Sequence, residues 1–150
     1  KGRLIKYAEE ELIGKFPNYT KEIKMYYANH RNMIKGTFQS SIDAFLELKS
    51  RDYLCYVLSN WSAETFVGMD KDYPFLRKFD GLLISGESKL MKPSIEIYEL
   101  AISRFNLNPK DTIFIDDKIE NIETAKKLKF KTIHLLNPNL IKKEINKFIK

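Results

Sequence analysis

Residues 112–135 read TIFIDDKIENIETAKKLKFKTIHL, and this stretch decides the fold class. Short apolar runs stand at its two ends, at residues 112–115 and 131–135. Continuous apolarity over about five residues is typical of a strand that is buried on both faces, as in a parallel sheet. Between the two runs, residues 119–128 place Ile122 and Ala125 on one helical face. The stretch therefore predicts two parallel strands joined by a helix.

The same alternation extends through the preceding half of the chain. The further predicted elements are helices at residues 40–49 and 94–105, strands at 54–58 and 82–84, and a last helix after Pro138. Strands and helices that alternate over short connections predict an α/β fold, a Rossmann-like parallel sheet with helices on both faces. Residues 1–35 are helical in pattern, with a break at residues 16–18, and predict a small helical unit. The α/β core is then expected at residues 36–150.

The composition excludes several classes of protein. Of the 150 residues, 43% are hydrophobic and 31% are charged, which is typical of a globular chain. No apolar run approaches the ~18 residues that a membrane-spanning helix needs, and the N-terminal residues do not resemble a secretory signal. We therefore expect a cytoplasmic protein without a membrane partner. The single cysteine, Cys55, excludes an internal disulfide, and its apolar run predicts that it is buried.

The net charge of +6 is concentrated near the C-terminus, where residues 126–150 hold eight lysines. A basic strip can bind nucleic acid through its phosphates. These lysines are not accompanied by a pattern of aromatic residues on which bases could stack. We therefore expect a solvated helix face and no nucleic-acid partner.

Polar side chains follow three of the predicted strands. Ser59 follows the strand at 54–58, Lys92 follows the next strand after a loop, and Asp116 and Asp117 follow the strand at 112–115. In a parallel sheet these positions share one edge, where ligands bind. Adjacent carboxylates repel unless a cation compensates them, and Mg²⁺ prefers one or two carboxylates together with phosphate oxygens and water. The set predicts a small phosphorylated substrate, a phosphate monoester bound with Mg²⁺.

Three segments around these residues resemble motifs two, three and four of the haloacid dehalogenase (HAD) superfamily. The segments are LSNWSAETF at residues 58–66, SGE at 85–87 with Lys92 and Pro93, and FIDD at 114–117 with Asn121 and Ala125. The resemblance covers roughly residues 36–137 and is strongest for small-molecule phosphatases with a helical cap inserted after the first strand. It implies that residues 1–35 are the latter part of such a cap and that residues 36–150 are the HAD core.

The resemblance also implies which residues bind the substrate. Ser59 would donate a hydrogen bond to the transferring phosphoryl group, with Asn60 beside it. Trp61 would face the substrate at the cap interface or pack there. Lys92 would neutralise the charge of the nucleophile and of the phosphate.

The metal site is implied in the same way. Asp117 would bind Mg²⁺ directly, and Asp116 would act nearby, through water or through Lys92. Asn121, four residues after Asp117, would support the metal site from the following helix. The resemblance thus implies Mg²⁺ as the cofactor.

One motif of the superfamily has no counterpart among the predicted strands. The first motif is a strand that ends in Asp-x-Asp, whose first carboxylate attacks phosphorus and forms an aspartyl-phosphate. Asp70 and Asp72 have this spacing but lie in a polar loop. In the superfamily that strand lies between the strands predicted at residues 54–58 and 112–115, and its absence would leave two edges unpaired. We expect a C-terminal portion of a longer hydrolase that is inactive alone, the central strand being supplied by a missing N-terminal segment or by another chain.

Two alternative functions remain open. A haloacid dehalogenase shares the fold and the lysine but needs no metal, whereas the adjacent carboxylates of Asp116 and Asp117 favour Mg²⁺. A non-catalytic regulatory or interaction module would keep the fold and bind through the basic C-terminal strip. His30 and His134 lack a second ligand at metal spacing and are predicted to be structural.

Overall fold

The structure of the protein is a computed structural model that describes residues 4–149. Its first part is helical, with α1 at Ile5–Lys15 and α2 at Thr20–Ala28. The predicted break lies between these helices, where Pro17 opens a 3-10 turn, Pro17–Tyr19; proline fits the start of a helix but cannot continue one. A second 3-10 turn, His30–Met33, follows α2. Residues 1–3 of the predicted helical unit, and Lys150, lie outside the described residues.

The remaining described residues alternate between strands and helices, as the apolar runs predict. In chain order the elements are α3 Gln39–Ser50, β1 Tyr56–Ser59, α4 Ala63–Phe66, α5 Met69–Asp72, β2 Gly81–Ile84, α6 Ser85–Ser88, α7 Ile95–Phe105, β3 Ile113–Asp116, α8 Ile119–Lys127, β4 Lys131–His134 and α9 Ile141–Ile145. Short 3-10 turns at Pro74–Lys78, Pro109–Asp111 and Pro138–Leu140 precede β2, β3 and α9. From residue 4 to residue 149, no helix has both the length and the apolar character needed to cross a membrane.

The strands form two parallel pairs. β1 pairs with β2 in a register that runs from Tyr56 opposite Gly81 to Ser59 opposite Ile84. β3 pairs with β4 in the same parallel sense. The α/β class with parallel strands is confirmed, and the strands form two two-stranded sheets with no strand between β1 and β3 among the described residues. In this part of the chain β1 and β3 therefore each have an edge without a strand partner.

The buried core links α7 and α8 to the strands. Its members are Leu83, Ile97, Tyr98, Ala101, Ala125 and Phe130. Tyr98 is fully buried, and its hydroxyl donates a hydrogen bond to the carbonyl oxygen of Asn121 at 3.0 Å. Burial raises the pKa of the Tyr98 hydroxyl, so it stays protonated and remains a donor. This contact ties α7 to the first turn of α8, immediately after the predicted metal residues.

The start of β1 differs from the prediction. Leu54 is 69% exposed and Cys55 is only partly buried, although both were expected inside a buried strand. The backbone of Cys55 is bonded to Asp80 instead of to a neighbouring strand. The Cys55 amide donates to Asp80 Oδ2 at 2.7 Å, and the Asp80 amide donates to the Cys55 carbonyl at 2.9 Å. The strand therefore begins at Tyr56, and Ser59 is its last residue instead of the first residue after it.

Candidate functional site

Asn60 joins the end of β1 to the loop that carries Lys92. Its side-chain Nδ2 donates to the Lys92 carbonyl at 2.9 Å, and the Lys92 amide donates to Asn60 Oδ1 at 2.8 Å. Both hydrogen-bonding groups of the amide thus hold the backbone of one residue. Asn60 was predicted to contact the substrate beside Ser59; in the structure its side chain positions Lys92.

The Lys92 side chain continues from this anchor to the end of β3. Its Nζ lies 2.6 Å from Asp116 Oδ2, and only 12% of the lysine side chain and 5% of the aspartate side chain are exposed. The same Nζ lies 5.6 Å from the centre of the Phe114 ring, where a cation is attracted by the ring face. Lys92 therefore links the ends of β1 and β3, which share no backbone hydrogen bonds. The predicted residues Asn60, Lys92 and Asp116 are thus brought together.

The Asp116 carboxylate is held by three donors. Besides Lys92 at Oδ2, the Lys118 amide and Asn121 Nδ2 each donate to Oδ1 at 2.9 Å. Burial alone would raise the pKa of Asp116, but the hydrogen bonds from Lys92, Asn121 and Lys118 outweigh it and lower the pKa below its ordinary value of 3.8. Asp116 is therefore ionised at neutral pH and holds Lys92 in place.

Asp117 has the opposite environment. Asp117 is exposed, and its carboxylate makes no hydrogen bond or ion pair with another residue in the described range. Its backbone carbonyl lies 3.0 Å from Nε2 of His134. His134 is exposed, and its ring contacts this backbone carbonyl. Asp117 is thus fixed by its backbone and has a carboxylate available for a ligand.

The donor set fits Mg²⁺ by its chemistry. Asp117 offers a carboxylate, and the Oδ1 atom of the buried Asn121 has no hydrogen-bond partner. Both are oxygen donors, which Mg²⁺ prefers, and it completes its coordination with phosphate oxygens and water. Within residues 4–149, no group of three or more His, Cys, Asp or Glu side chains is placed to hold a metal. The protein oxygens that a divalent ion could use here are those of Asp117 and Asn121.

Ser59 and Trp61 line an open cleft of about 470 Å³ between the core and the helical part of the chain. The Trp61 indole Nε1 donates to Thr65 Oγ1 at 2.9 Å, and its ring meets the His30 ring edge-on at 5.8 Å. The lining also includes His30, Tyr26 and Tyr27 from the helical part. The sequence analysis predicted a structural role for His30 and assigned no role to Tyr26 or Tyr27. The dense aromatic run at residues 26–30 is the signal that could have found them.

A family model settles the relationship of the chain. The model, described as haloacid dehalogenase-like hydrolase, matches residues 3–135. The chain belongs to the haloacid dehalogenase-like hydrolases. This confirms the HAD superfamily resemblance that the three motifs indicated.

Individual HAD relatives differ in activity. The sesquiterpene phosphatase of Aspergillus oryzae is 30% identical over 89 residues, which cover 59% of this chain and 45% of that protein. The (S)-2-haloacid dehalogenase 4A of Burkholderia cepacia is 26% identical over 100 residues, which cover 67% of this chain and 43% of that protein. The chain thus spans less than half the length of these curated relatives.

A solved HAD structure is similar in both sequence and fold. It is a HAD family enzyme from Bacteroides thetaiotaomicron in complex with magnesium and inorganic phosphate. The two chains are 28% identical with a TM-score of 0.54, and the match covers 64% of this chain and 52% of that one. The HAD assignment therefore rests on structure as well as on sequence.

Proposed function

We propose that the chain forms the phosphate-binding and Mg²⁺-binding part of a HAD phosphatase acting on a small phosphorylated metabolite. One observation carries the proposal. The Lys92 ammonium group is paired with the buried Asp116, Asn60 holds the Lys92 backbone, and the residue after Asp116, Asp117, has an available carboxylate. A phosphatase among the relatives and a similar enzyme that holds magnesium and inorganic phosphate support it.

The formal charges of the site favour a metal. Lys92 and Asp116 neutralise each other, and Asp117 leaves one net negative charge among the three side chains. A phosphate monoester carries about two negative charges near neutral pH and would be repelled by this site. One Mg²⁺ ion, which Asp117 would hold, would change the net charge of the site to positive. Charge balance thus supports Mg²⁺ as the cofactor.

Each residue has a defined task in this proposal. Ser59, at the last position of β1, would donate its hydroxyl hydrogen to a phosphoryl oxygen, and Lys92 would stabilise the charge on the transferring group. Asp116 and Asn60 would position Lys92, and Asp117 would hold the metal, with Asn121 supporting the metal site. The bound Mg²⁺ would polarise the phosphoryl oxygens and stabilise the charge that develops on them.

In this proposal the nucleophile comes from a strand that lies outside the described residues. We propose that a segment outside these 150 residues, or another polypeptide, adds a strand between β1 and β3. The free strand edges there support this, because such edges are normally covered. A carboxylate at the end of that strand would form the phosphorus–oxygen bond as the ester bond breaks, and water would then release phosphate. The chain alone would therefore bind phosphate without turnover.

A dehalogenase is the second candidate, because one relative has that activity. The complete protein should hydrolyse p-nitrophenyl phosphate and lose this activity with EDTA, whereas a dehalogenase would release halide from a 2-haloacid with EDTA present. Lys92→Met should abolish the hydrolysis, and Lys126→Met, in an exposed pair with Glu123, should not change it. EDTA-insensitive halide release without phosphate hydrolysis would overturn the phosphatase proposal.

A further inference from the structure

The cleft beside Ser59 has the size and lining of a small-molecule site. Its volume of about 470 Å³ lies in the range of about 300–1,000 Å³ that is usual for such sites. Ser59 contributes to its wall from the strand edge where the phosphate is proposed to bind. A phosphate at that edge would direct its organic substituent into the cleft.

The core side of the cleft presents both free and engaged polar side chains, and the hydroxyls of Ser59 and Ser62 have no partner among the described residues. Asn60, Trp61 and Thr65 all line it, but their polar atoms are engaged within the protein. Asn60 is bonded to the Lys92 backbone, and Thr65 Oγ1 accepts from Trp61 and donates to the Ser62 carbonyl at 3.4 Å. A ligand group that faces Trp61 and Thr65 would therefore be held by contact with the indole ring and not by new hydrogen bonds to these two residues.

Trp61 is part of an aromatic wall of the cleft, and its orientation is fixed. The bond to Thr65 fixes the Trp61 indole, whose ring meets both His30 and Phe66 edge-on at 5.8 Å. Tyr26 and Tyr27 continue the wall and contact each other edge-on at 5.2 Å. Nδ1 of His30 is buried without a hydrogen bond, so ring contacts and not polar ones hold the imidazole. Aromatic walls of this kind bind flat apolar groups through their faces and edges.

We infer that the cleft selects phosphate monoesters whose organic part is planar and unsaturated or aromatic, and that His30 and Tyr26 determine this specificity. The inference rests on the proposed phosphatase function and narrows its substrate class. It assigns a ligand-contacting role to His30, which sequence reasoning had treated as structural. Polyol phosphates, which have no flat face to place against Trp61 and Tyr26, are the disfavoured class.

The fluorescence of Trp61, the only tryptophan among the 150 residues, reports binding directly. The chain would be titrated with phenyl phosphate, glycerol phosphate and inorganic phosphate in the presence of Mg²⁺. We expect phenyl phosphate to bind about tenfold more tightly than glycerol phosphate, which is the ratio that aromatic contacts of ordinary strength supply. His30→Ala and Tyr26→Ala should each reduce this ratio severalfold and leave the affinity for inorganic phosphate unchanged.

Tyr19→Ala is the matched control, because Tyr19 is 61% exposed, belongs to the same helical part and does not line the cleft. Circular dichroism would confirm that each variant is folded, and Tyr26, which is 57% exposed, can be truncated without leaving a buried cavity. Equal affinities for phenyl and glycerol phosphate, with inorganic phosphate still bound, would overturn the specificity and leave the phosphatase proposal standing. Failure to bind inorganic phosphate with Mg²⁺ would overturn both.

Discussion

Replacing Lys92 with methionine tests the bridge between the two strand ends. The variant keeps the length of the side chain but leaves the Asp116 carboxylate, only 5% exposed, without its cation. Removing one partner of a buried ion pair costs about 3–5 kcal/mol of unfolding free energy. Asp116 keeps its bonds from Lys118 and Asn121, so we expect a loss near the lower end, about 3 kcal/mol.

The loss should depend on pH in a defined direction. Because the folded pKa of Asp116 is lowered, its ionisation stabilises the native state above the unfolded pKa, about 3.9. This contribution fades as the pH falls through the folded pKa. Without Lys92 the pKa of Asp116 should rise, so as the pH falls the Asp116 carboxylate of the variant is protonated at a higher pH than in wild type. The difference between wild type and variant should be largest near about pH 7 and smaller near about pH 4.

Urea unfolding followed by Trp61 fluorescence at the two pH values measures both effects. Lys126→Met is the control, because Lys126 and Glu123 are each about half exposed and such pairs contribute less than about 1 kcal/mol. Adding Asp116→Asn to Lys92→Met should recover part of the loss, because the buried charge is removed. A Lys92→Met loss no larger than that of the control, or one independent of pH, would refute the bridging role.

Three further variants, the last with Gly14→Ala as its control, test separate parts of the site and the fold. Asp117→Asn should leave the free energy of unfolding within about 0.5 kcal/mol of wild type, because the carboxylate has no partner among the described residues. The same variant should lower the affinity for Mg²⁺ at least about tenfold, measured by calorimetry. An unchanged Mg²⁺ affinity would exclude Asp117 as a ligand. Asn60→Ala should cost about 1 kcal/mol in urea unfolding, since two backbone groups of Lys92 lose their partner, and no change would contradict the clamp. Gly86→Ala should lower the melting temperature sharply, because a Cβ at Gly86 would lie 2.0 Å from the backbone nitrogen of Ala63. Gly14→Ala is the control, because Gly14 has open space around it, and this change should stabilise its helix by about 0.5–1 kcal/mol. Equal melting temperatures for the two variants would contradict the close approach at Gly86.

Local patterns predicted most of the secondary structure. The apolar runs and the helical spacing identified all four strands among the described residues, because burial on both faces requires such runs. The start of β1 was misplaced, since the hydrogen bonds of Cys55 go to Asp80, 25 residues away. Strand pairing depends on which strands are present. The alternation of strands and helices alone does not reveal that β1 and β3 are not paired with each other.

The candidate site was predictable only in part, because some of its contacts join residues that are distant along the chain. Ser59, Lys92 and Asp117 could be named because they follow strands, whose ends share one edge. The hydrogen bonds between Asn60 and Lys92 join residues 32 positions apart, and no local pattern signals them. The contact of His30 with Trp61 likewise depends on how the helical part lies against the core. Such contacts are set by tertiary packing and not by spacing along the chain.

Binding of inorganic phosphate with and without Mg²⁺, followed by phosphorus NMR, tests the central claim most directly. The net negative charge of Lys92, Asp116 and Asp117 predicts that phosphate binds only when Mg²⁺ is present. Lys92→Met should weaken this binding even with the metal, and Lys126→Met should not. Phosphate that binds equally well in the presence of EDTA, or that does not bind at all, would contradict a magnesium-bridged phosphate at these strand ends.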